Sequence, residues 1–252
     1  MSAAQKKLHL VCSGLYHDFD FARLELLKLF AELPHVRVTV SPDYAAVEDI
    51  AAADALVTYT SDVIPTSEQT GVLETFLHDG KGWFALHGTN ALLRYRKGRG
   101  WVAPHANLAF FEMIGSQFVA HPPIQPFTAR AISNHPLVQD IEPFETDDEI
   151  YLCRFFGEIK PLLETDFTGE APGFDESNWT DLDTVPLMYL HPWEDNEVLY
   201  LNLGHARGHY DMEPLMDWYD NIERGSWAQP AFYELLRRGI RWSLREGEMH
   251  HG

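Results

Sequence analysis

The chain has 252 residues, 45% of them hydrophobic and 13% aromatic, and its 38 acidic against 19 basic side chains give a formal net charge of -19. That apolar content suits a single elaborated domain over 1–252 with tails at 1–7 and 246–252, while the acidic surface would repel phosphate backbones and anionic lipid, which argues against nucleic acid or membrane as partner. Cys12 and Cys153 lie in apolar segments and read as buried thiols of a reducing compartment, and no apolar run is long enough for a signal core or a span, so a cytoplasmic location is expected.

In chain order, Leu8–Ser13 and His35–Ser41 read as strands flanking a helix over Phe19–Leu33, where Phe21, Leu24, Leu27 and Phe30 recur at helical spacing. Asp54–Thr60 continues as a third strand, Ser67–Asp79 as a helix with Val72, Leu73, Phe76 and Leu77 on one side, and Gly82–Leu86 as a fourth strand. Strands alternating with helices imply a parallel sheet covered on both faces. Beyond Thr89 the pattern changes to a short helix over Ala106–Ile114, then to strand-like Phe127–Ile132, Ile150–Phe156, Pro186–Leu190 and Val198–Leu203, so the second half is strand-rich. Asp166–Asp183 has no periodicity and reads as a long loop or lid over the sheet edge. Gln229–Arg245 carries Phe232, Leu235, Leu236, Ile240 and Trp242 at helical intervals and reads as a closing amphipathic helix.

Four phrases place a histidine just beyond an apolar run, and they mark His17, His87, His121 and His205. If those runs are parallel strands, the imidazoles gather at the carboxyl edge of one sheet, where open α/β folds bind ligands. The sharpest phrase is Gly80-Lys81-Gly82-Trp83-Phe84-Ala85-Leu86-His87-Gly88-Thr89, a glycine-punctuated strand ending in an elbow. Such a turn presents one side chain beside free backbone amides that suit an oxyanion or carbonyl oxygen. The presented group is His87 where acyl-transfer enzymes need a serine or cysteine with an adjacent base. Gly88 and Thr89, together with Tyr16, Tyr151 and Trp193, are candidate substrate contacts. The other aromatics of irregular segments, among them Trp101, Trp179, Trp218 and Trp227, suit pyranose C–H faces, the core or a homo-oligomer contact equally well.

Downstream, Gly115-Ser116-Gln117-Phe118-Val119-Ala120-His121-Pro122, Asn134-His135-Pro136-Leu137 and Asp147-Asp148-Glu149-Ile150-Tyr151 follow in close order. With the His87 elbow, Leu203-Gly204-His205 and the helix through Leu235-Leu236-Arg237-Arg238-Gly239-Ile240-Arg241-Trp242, they resemble the ThuA-like (trehalose-utilisation) family from about Leu8 to Trp242. The resemblance implies a flavodoxin-like three-layer α/β sandwich with a mostly parallel central sheet, similar to class I glutamine amidotransferases but with His-Gly where those carry a catalytic cysteine. It also implies a role in sugar catabolism, particularly of disaccharides oxidised to 3-keto glycosides, with no transfer of ammonia from glutamine and no nucleotide cofactor. The chain departs from the family at Asp195-Asn196-Glu197-Val198, where a Gly-Arg-Val-like turn is usual. A second departure is Ala206-Arg207-Gly208-His209-Tyr210-Asp211 with Arg224-Gly225-Ser226-Trp227, which resembles a subfamily-specific loop beside the site.

Two chemistries are open to these residues. His17, His87, His121 and His205 could supply the three protein ligands of a divalent metal such as zinc or manganese, although none forms a local HxxxH pair and convergence depends on the fold. Alternatively His87, Glu149 and Asp148 act as acid–base catalysts on a small carbohydrate, and Asp18, Asp148 and Glu149 orient imidazoles. A carbohydrate-active isomerase, lyase or hydrolase is the leading expectation. A silent carbohydrate-binding or regulatory module on the same scaffold is the alternative, because a fold alone does not confer chemistry.

Overall fold

The computed structural model describes residues 5–247. Residues 1–4 and 248–252, which carry most of the two expected tails and the terminal His250-His251, lie outside it. The first strand begins inside the expected tail, because Lys6 and Lys7 already pair with Val36 and Arg37.

Three βα repeats and a fourth strand open the chain: β1 (Lys6–Gly14), α1 (Phe19–Ala31), β2 (Val36–Ser41), α2 (Val47–Ala52), β3 (Ala55–Ser61), α3 (Ser67–His78) and β4 (Gly82–Leu86), closed by a 3-10 turn at His87–Asn90. There follow β5 (Arg94–Arg96), β6 (Gly100–Val102), α4 (Leu108–Ile114), β7 (Ser116–Ala120), β8 (Phe127–Ala131), β9 (Phe144–Thr146) and β10 (Leu152–Phe155). The chain ends through β11 (Lys160–Asp166), β12 (Gly169–Glu170), β13 (Asn178–Trp179), β14 (Thr184–Trp193), β15 (Asn196–Leu201) and α5 (Pro230–Ser243).

The main sheet has nine strands in the order β2-β1-β3-β4-β15-β14-β11-β8-β9. The first five run parallel, and from β14 onward each neighbour is antiparallel. Parallel strands buried on both faces need apolar residues at successive positions, and β3 and β4 are buried throughout. Alternation then sorts them. Leu10, Val57 and Phe84 pack with Leu26 and Phe30 of α1 and Leu236 and Ile240 of α5, whereas Val11, Leu56 and Trp83 pack with Ile50 of α2, Phe76 of α3 and Phe110 of α4. The result is the three-layer sandwich expected.

Three segments differ from expectation. The strand expected at Ile150–Phe156 is shorter and leaves the main sheet, pairing β10 with β7 in an antiparallel ribbon. Asp166–Asp183 is no bare loop: β12 pairs with β13, and the backbone around Gly173 and Phe174 is stitched to β6, Trp101 N–H donating to Gly173 O at 2.9 Å and Asp175 N–H to Trp101 O at 2.8 Å. Where the glycine-punctuated phrase reads as opening a short helix after the His87 elbow, only a single 3-10 turn follows.

The helix α5 lies so close to the sheet that a Cβ on Gly82 would stand 2.2 Å from Ser243 O and 2.6 Å from its Cα. Backbone cannot step aside as a side-chain tip can, so Gly82→Ala is expected to destabilise by about 2 kcal/mol through overpacking. A lowered midpoint with unchanged slope in urea unfolding would register it, and an unshifted midpoint would contradict this packing.

Candidate metal centre

The carboxyl edge of the parallel strands supplies three histidines. His17 lies in the loop after β1, which Asp18 ends by accepting a hydrogen bond from Phe21 N–H at 3.0 Å to cap α1. His87 follows β4 directly, with a left-handed φ of 44°, and its turn tolerates no Cβ at Gly88, where one would lie 2.6 Å from Thr60 O. His205 stands beyond β15, after Gly204, whose carbonyl accepts from Tyr59 Oη at 2.7 Å and Trp227 Nε1 at 2.8 Å. The fourth group, Glu149, arrives from the connection between β9 and β10. There Asn202 holds Tyr151 by two bonds, accepting from its N–H at 3.3 Å and donating to its carbonyl at 3.1 Å.

All four side chains are buried, and one ligand atom from each lies within 4.8 Å of every other. Their outer atoms decide their tautomers. A carbonyl oxygen only accepts, so His17 Nδ1–H donates to Leu15 O at 3.2 Å and His87 Nδ1–H to Asn202 O at 2.6 Å. Both Nε2 lone pairs are left facing each other at 2.9 Å, with Tyr151 Oη 3.0 Å from His87 Nε2. His205 is tied the other way round. Its Nε2–H donates to Glu223 Oε2 at 2.7 Å, and its buried Nδ1 has no hydrogen-bond partner although Glu149 Oε1 is 3.3 Å away. The remaining Glu149 oxygen lies 3.6 Å from both His17 Nε2 and His87 Nε2.

Three inward lone pairs, each fixed by an outer N–H on a carbonyl or carboxylate, beside one carboxylate, form a donor set that fits a divalent cation. Separations from 2.9 Å up to 4.8 Å bracket the roughly 3.4 Å between tetrahedral ligands set about 2.1 Å from a zinc ion. The electrostatics favour ligation at His17 and Glu149 but set a proton against it at His205. Burial pushes the His17 imidazole down to about 4, only partly opposed by Glu149, so it is neutral and able to ligate at pH 7. Burial works against the charged form of Glu149 too, but His205, His121 and His17 hold its carboxyl well below the usual range. Burial likewise lowers His205, but Glu149 and Glu223 outweigh it and raise the imidazole to about 9.

The other expected residues divide. His121 comes from β7, outside the parallel sheet, and is not one of the four clustered groups; its Nδ1–H donates to Pro122 O at 2.8 Å and its half-exposed Nε2 is 3.8 Å from Glu149 Oε1. Asp148, expected as a proton carrier, has both oxygens committed to backbone. Oδ1 accepts from Glu149 N–H at 2.8 Å and His205 N–H at 3.0 Å, and Oδ2 from Gly204 N–H and Ser226 N–H at 2.9 Å each. It positions the site. Thr89 Oγ1 donates to carbonyls of Leu86 and Thr58, and neither it nor Gly88 lines the cavity above the cluster. Trp193 is at the wrong end, because β14 runs antiparallel and delivers it beside Asn196 at the amino edge. The departing Asp195-Asn196-Glu197 segment is there too, where Asn196 Nδ2 donates to Leu77 O and Lys81 O. Tyr16 and Tyr151 do line the cavity, with His17, His121 and Glu149.

Two participants were not singled out in the sequence, although Arg207 falls in the loop expected beside the site. Arg207, largely buried, donates to Glu149 Oε1 at 3.1 Å and Glu223 Oε2 at 2.9 Å, so one guanidinium bridges both carboxylates that flank His205. Glu223 is also held by Tyr219 Oη at 2.6 Å. Arg207 could have been suspected from its place two residues after His205, but nothing local marks Glu223. Both thiols are pushed up to about 12 by burial and neither stands at the elbow, which leaves no support for a cysteine nucleophile.

Among the described residues no helix is long and apolar enough to cross a membrane. Two solved structures with the same architecture are ThuA-like proteins. One, from Parabacteroides merdae, is 15% identical with a TM-score of 0.66 over 95% of this chain and 90% of that one. The other, from Bacteroides uniformis, is 16% identical with a TM-score of 0.65 over 98% and 95%. A beta-galactosidase from Halorubrum lacusprofundi shares the fold over 96% of this chain but 32% of its own, at 15% identity and a TM-score of 0.50. No curated protein matches the chain by sequence. The family model described as trehalose utilisation matches residues 10–221, and the chain therefore belongs to the ThuA family.

Proposed function

We propose that the protein is an enzyme of carbohydrate catabolism that works at a divalent-metal centre, zinc or manganese, held by His17, His87, His205 and Glu149. The observation that carries this reading is the buried, unpartnered His205 Nδ1 facing two Nε2 lone pairs and a carboxylate. A cation there would act as a Lewis acid toward a keto or hydroxyl oxygen. His121 is the base of this scheme. Its Nδ1–H is occupied by Pro122 O, so the Nε2 lone pair is the one available to take a proton from a carbon or hydroxyl held in the cavity. Tyr151, whose phenol burial and Glu149 keep far above its ordinary value, stays protonated and donates a hydrogen bond. Arg207 fixes Glu149.

Such chemistry suits isomerisation, elimination or hydrolysis of a 3-keto glycoside. The expected result is turnover of 3-keto-trehalose that chelation abolishes and His121→Ala lowers about a hundredfold or more in kcat, within the range of general acid–base catalysis. Turnover indifferent to both treatments rejects the scheme, and tight glycoside binding without turnover would favour a silent binding module. Glu223 bears on the metal independently of any substrate. Glu223→Ala frees His205 Nε2–H and is expected to weaken cation binding about 10–100-fold in Kd, whereas Glu223→Gln, still an acceptor, restores part of it. Cobalt titration followed by absorbance separates the two variants.

A further inference from the structure

We propose that the outer half of the cavity is built for an apolar aglycone, so that the substrate is an aryl or alkyl glycoside in preference to a disaccharide. The inference rests on the carbohydrate reading of the same cavity. The cavity's polar side chains are mostly the buried His17, Glu149 and Tyr151, joined by Arg207, His121, Tyr16 and Ser61. Apart from Ser61 and Ala91, the remainder of its wall is Leu93, Trp101, Phe118, Phe174, Met212 and Leu215. One pyranose ring can place its hydroxyls on the polar groups. A second ring would set its hydroxyls against carbon, and a hydroxyl removed from water without a partner costs affinity.

The apolar wall is also preorganised. Trp101 and Phe174 come from segments more than seventy residues apart, yet their backbones form a bridge, and Arg99 clasps Asp175 through two hydrogen bonds of 2.8 and 2.5 Å. Gly100 permits this approach, since a Cβ there would stand 2.2 Å from Gly173 O. Trp101 meets Tyr16 edge to face at 5.9 Å, and Phe174 meets His121 in the same manner at 5.0 Å. In the same cavity Leu215 is 48% exposed and Met212 half-buried, apolar surface that water covers until a ligand does. A planar or branched hydrocarbon group held between these walls gains contact at little ordering cost.

Calorimetry with the cobalt-loaded protein and three probes tests the proposal: phenyl glucoside and methyl glucoside, each as both anomers, and trehalose. Phenyl glucoside is expected to bind at least tenfold more tightly than methyl glucoside or trehalose. In Trp101→Ala, and in Leu215→Ser at an exposed position where folding is not at stake, that preference should fall toward unity while the cobalt spectrum stays unchanged. Equal binding of phenyl and methyl glucosides, or tighter binding of trehalose, overturns the aglycone assignment and leaves the metal and carbohydrate readings standing. Cobalt uptake with no binding of any glucoside rejects the carbohydrate reading, and this proposal with it.

Discussion

His87→Ala is expected to bind zinc or cobalt at least a hundredfold more weakly than the unaltered chain, which should take up one divalent ion per molecule. The removed Nε2 is one of three inward imidazole nitrogens, and the ring that carries it is already oriented by Asn202 O. Binding to the folded state alone stabilises by about 4 kcal/mol at a thousandfold excess of cation over Kd. In a domain of this size that raises Tm by roughly 10 °C, a rise that chelation reverses and His87→Ala lacks. The pH dependence has a definite sign. His205, held at about 9 by Glu149 and Glu223, carries a proton at pH 7.5, and a cation on Nδ1 must displace it. His17, at about 4, has none to lose. Cation affinity should therefore rise about tenfold per pH unit from 7 toward 9 and level off above, with close to one proton released at pH 7.5 in calorimetry across buffers. A Tm and proton balance indifferent to zinc would remove the proposed centre.

Asp148→Ala should cost more stability than any single replacement among the clustered ligands. Its carboxylate is 1% exposed and accepts from four backbone N–H groups, three of them in segments 56 to 78 residues away. Hydrogen bonds to a charged group contribute about 1.5–3 kcal/mol each, and deleting this acceptor strands four buried donors at once. The expected loss is about 4 kcal/mol or more, enough to unfold much of a marginally stable chain. Asp148→Asn keeps one oxygen and should lie between. Urea unfolding of both variants decides the matter: a stable Asp148→Ala chain that had merely lost turnover would restore Asp148 to the role of proton carrier.

Much of this site was legible in the sequence because its histidines follow strands. His17, His87 and His205 each lie within a few residues of the end of a buried parallel strand, and strand ends on one edge of a sheet must be near one another. His121 satisfied the same local pattern, but β7 pairs only with β10, and that places it above the cluster as a half-exposed neighbour. Trp193 shows the reverse error. An apolar run states that a strand exists and is silent about its direction, and the antiparallel β14 carried Trp193 to the far edge. Asp148 and Glu149 are adjacent in sequence and looked interchangeable. Only the fold separates them, turning one into a lattice of backbone amides and the other onto three imidazoles.

What the sequence determined by itself is local: helical and strand periodicities, the elbow at His87, and the family kinship carried by ordered phrases along the chain. These depend on residues within a turn or two of one another, where spacing alone dictates which face is apolar. Tertiary structure alone decided which strands run antiparallel, that Glu149 and not His121 completes the cluster, and that Arg207 and Glu223 brace it. Those outcomes depend on pairings between distant segments, which burial of the whole core selects and no short window of sequence encodes.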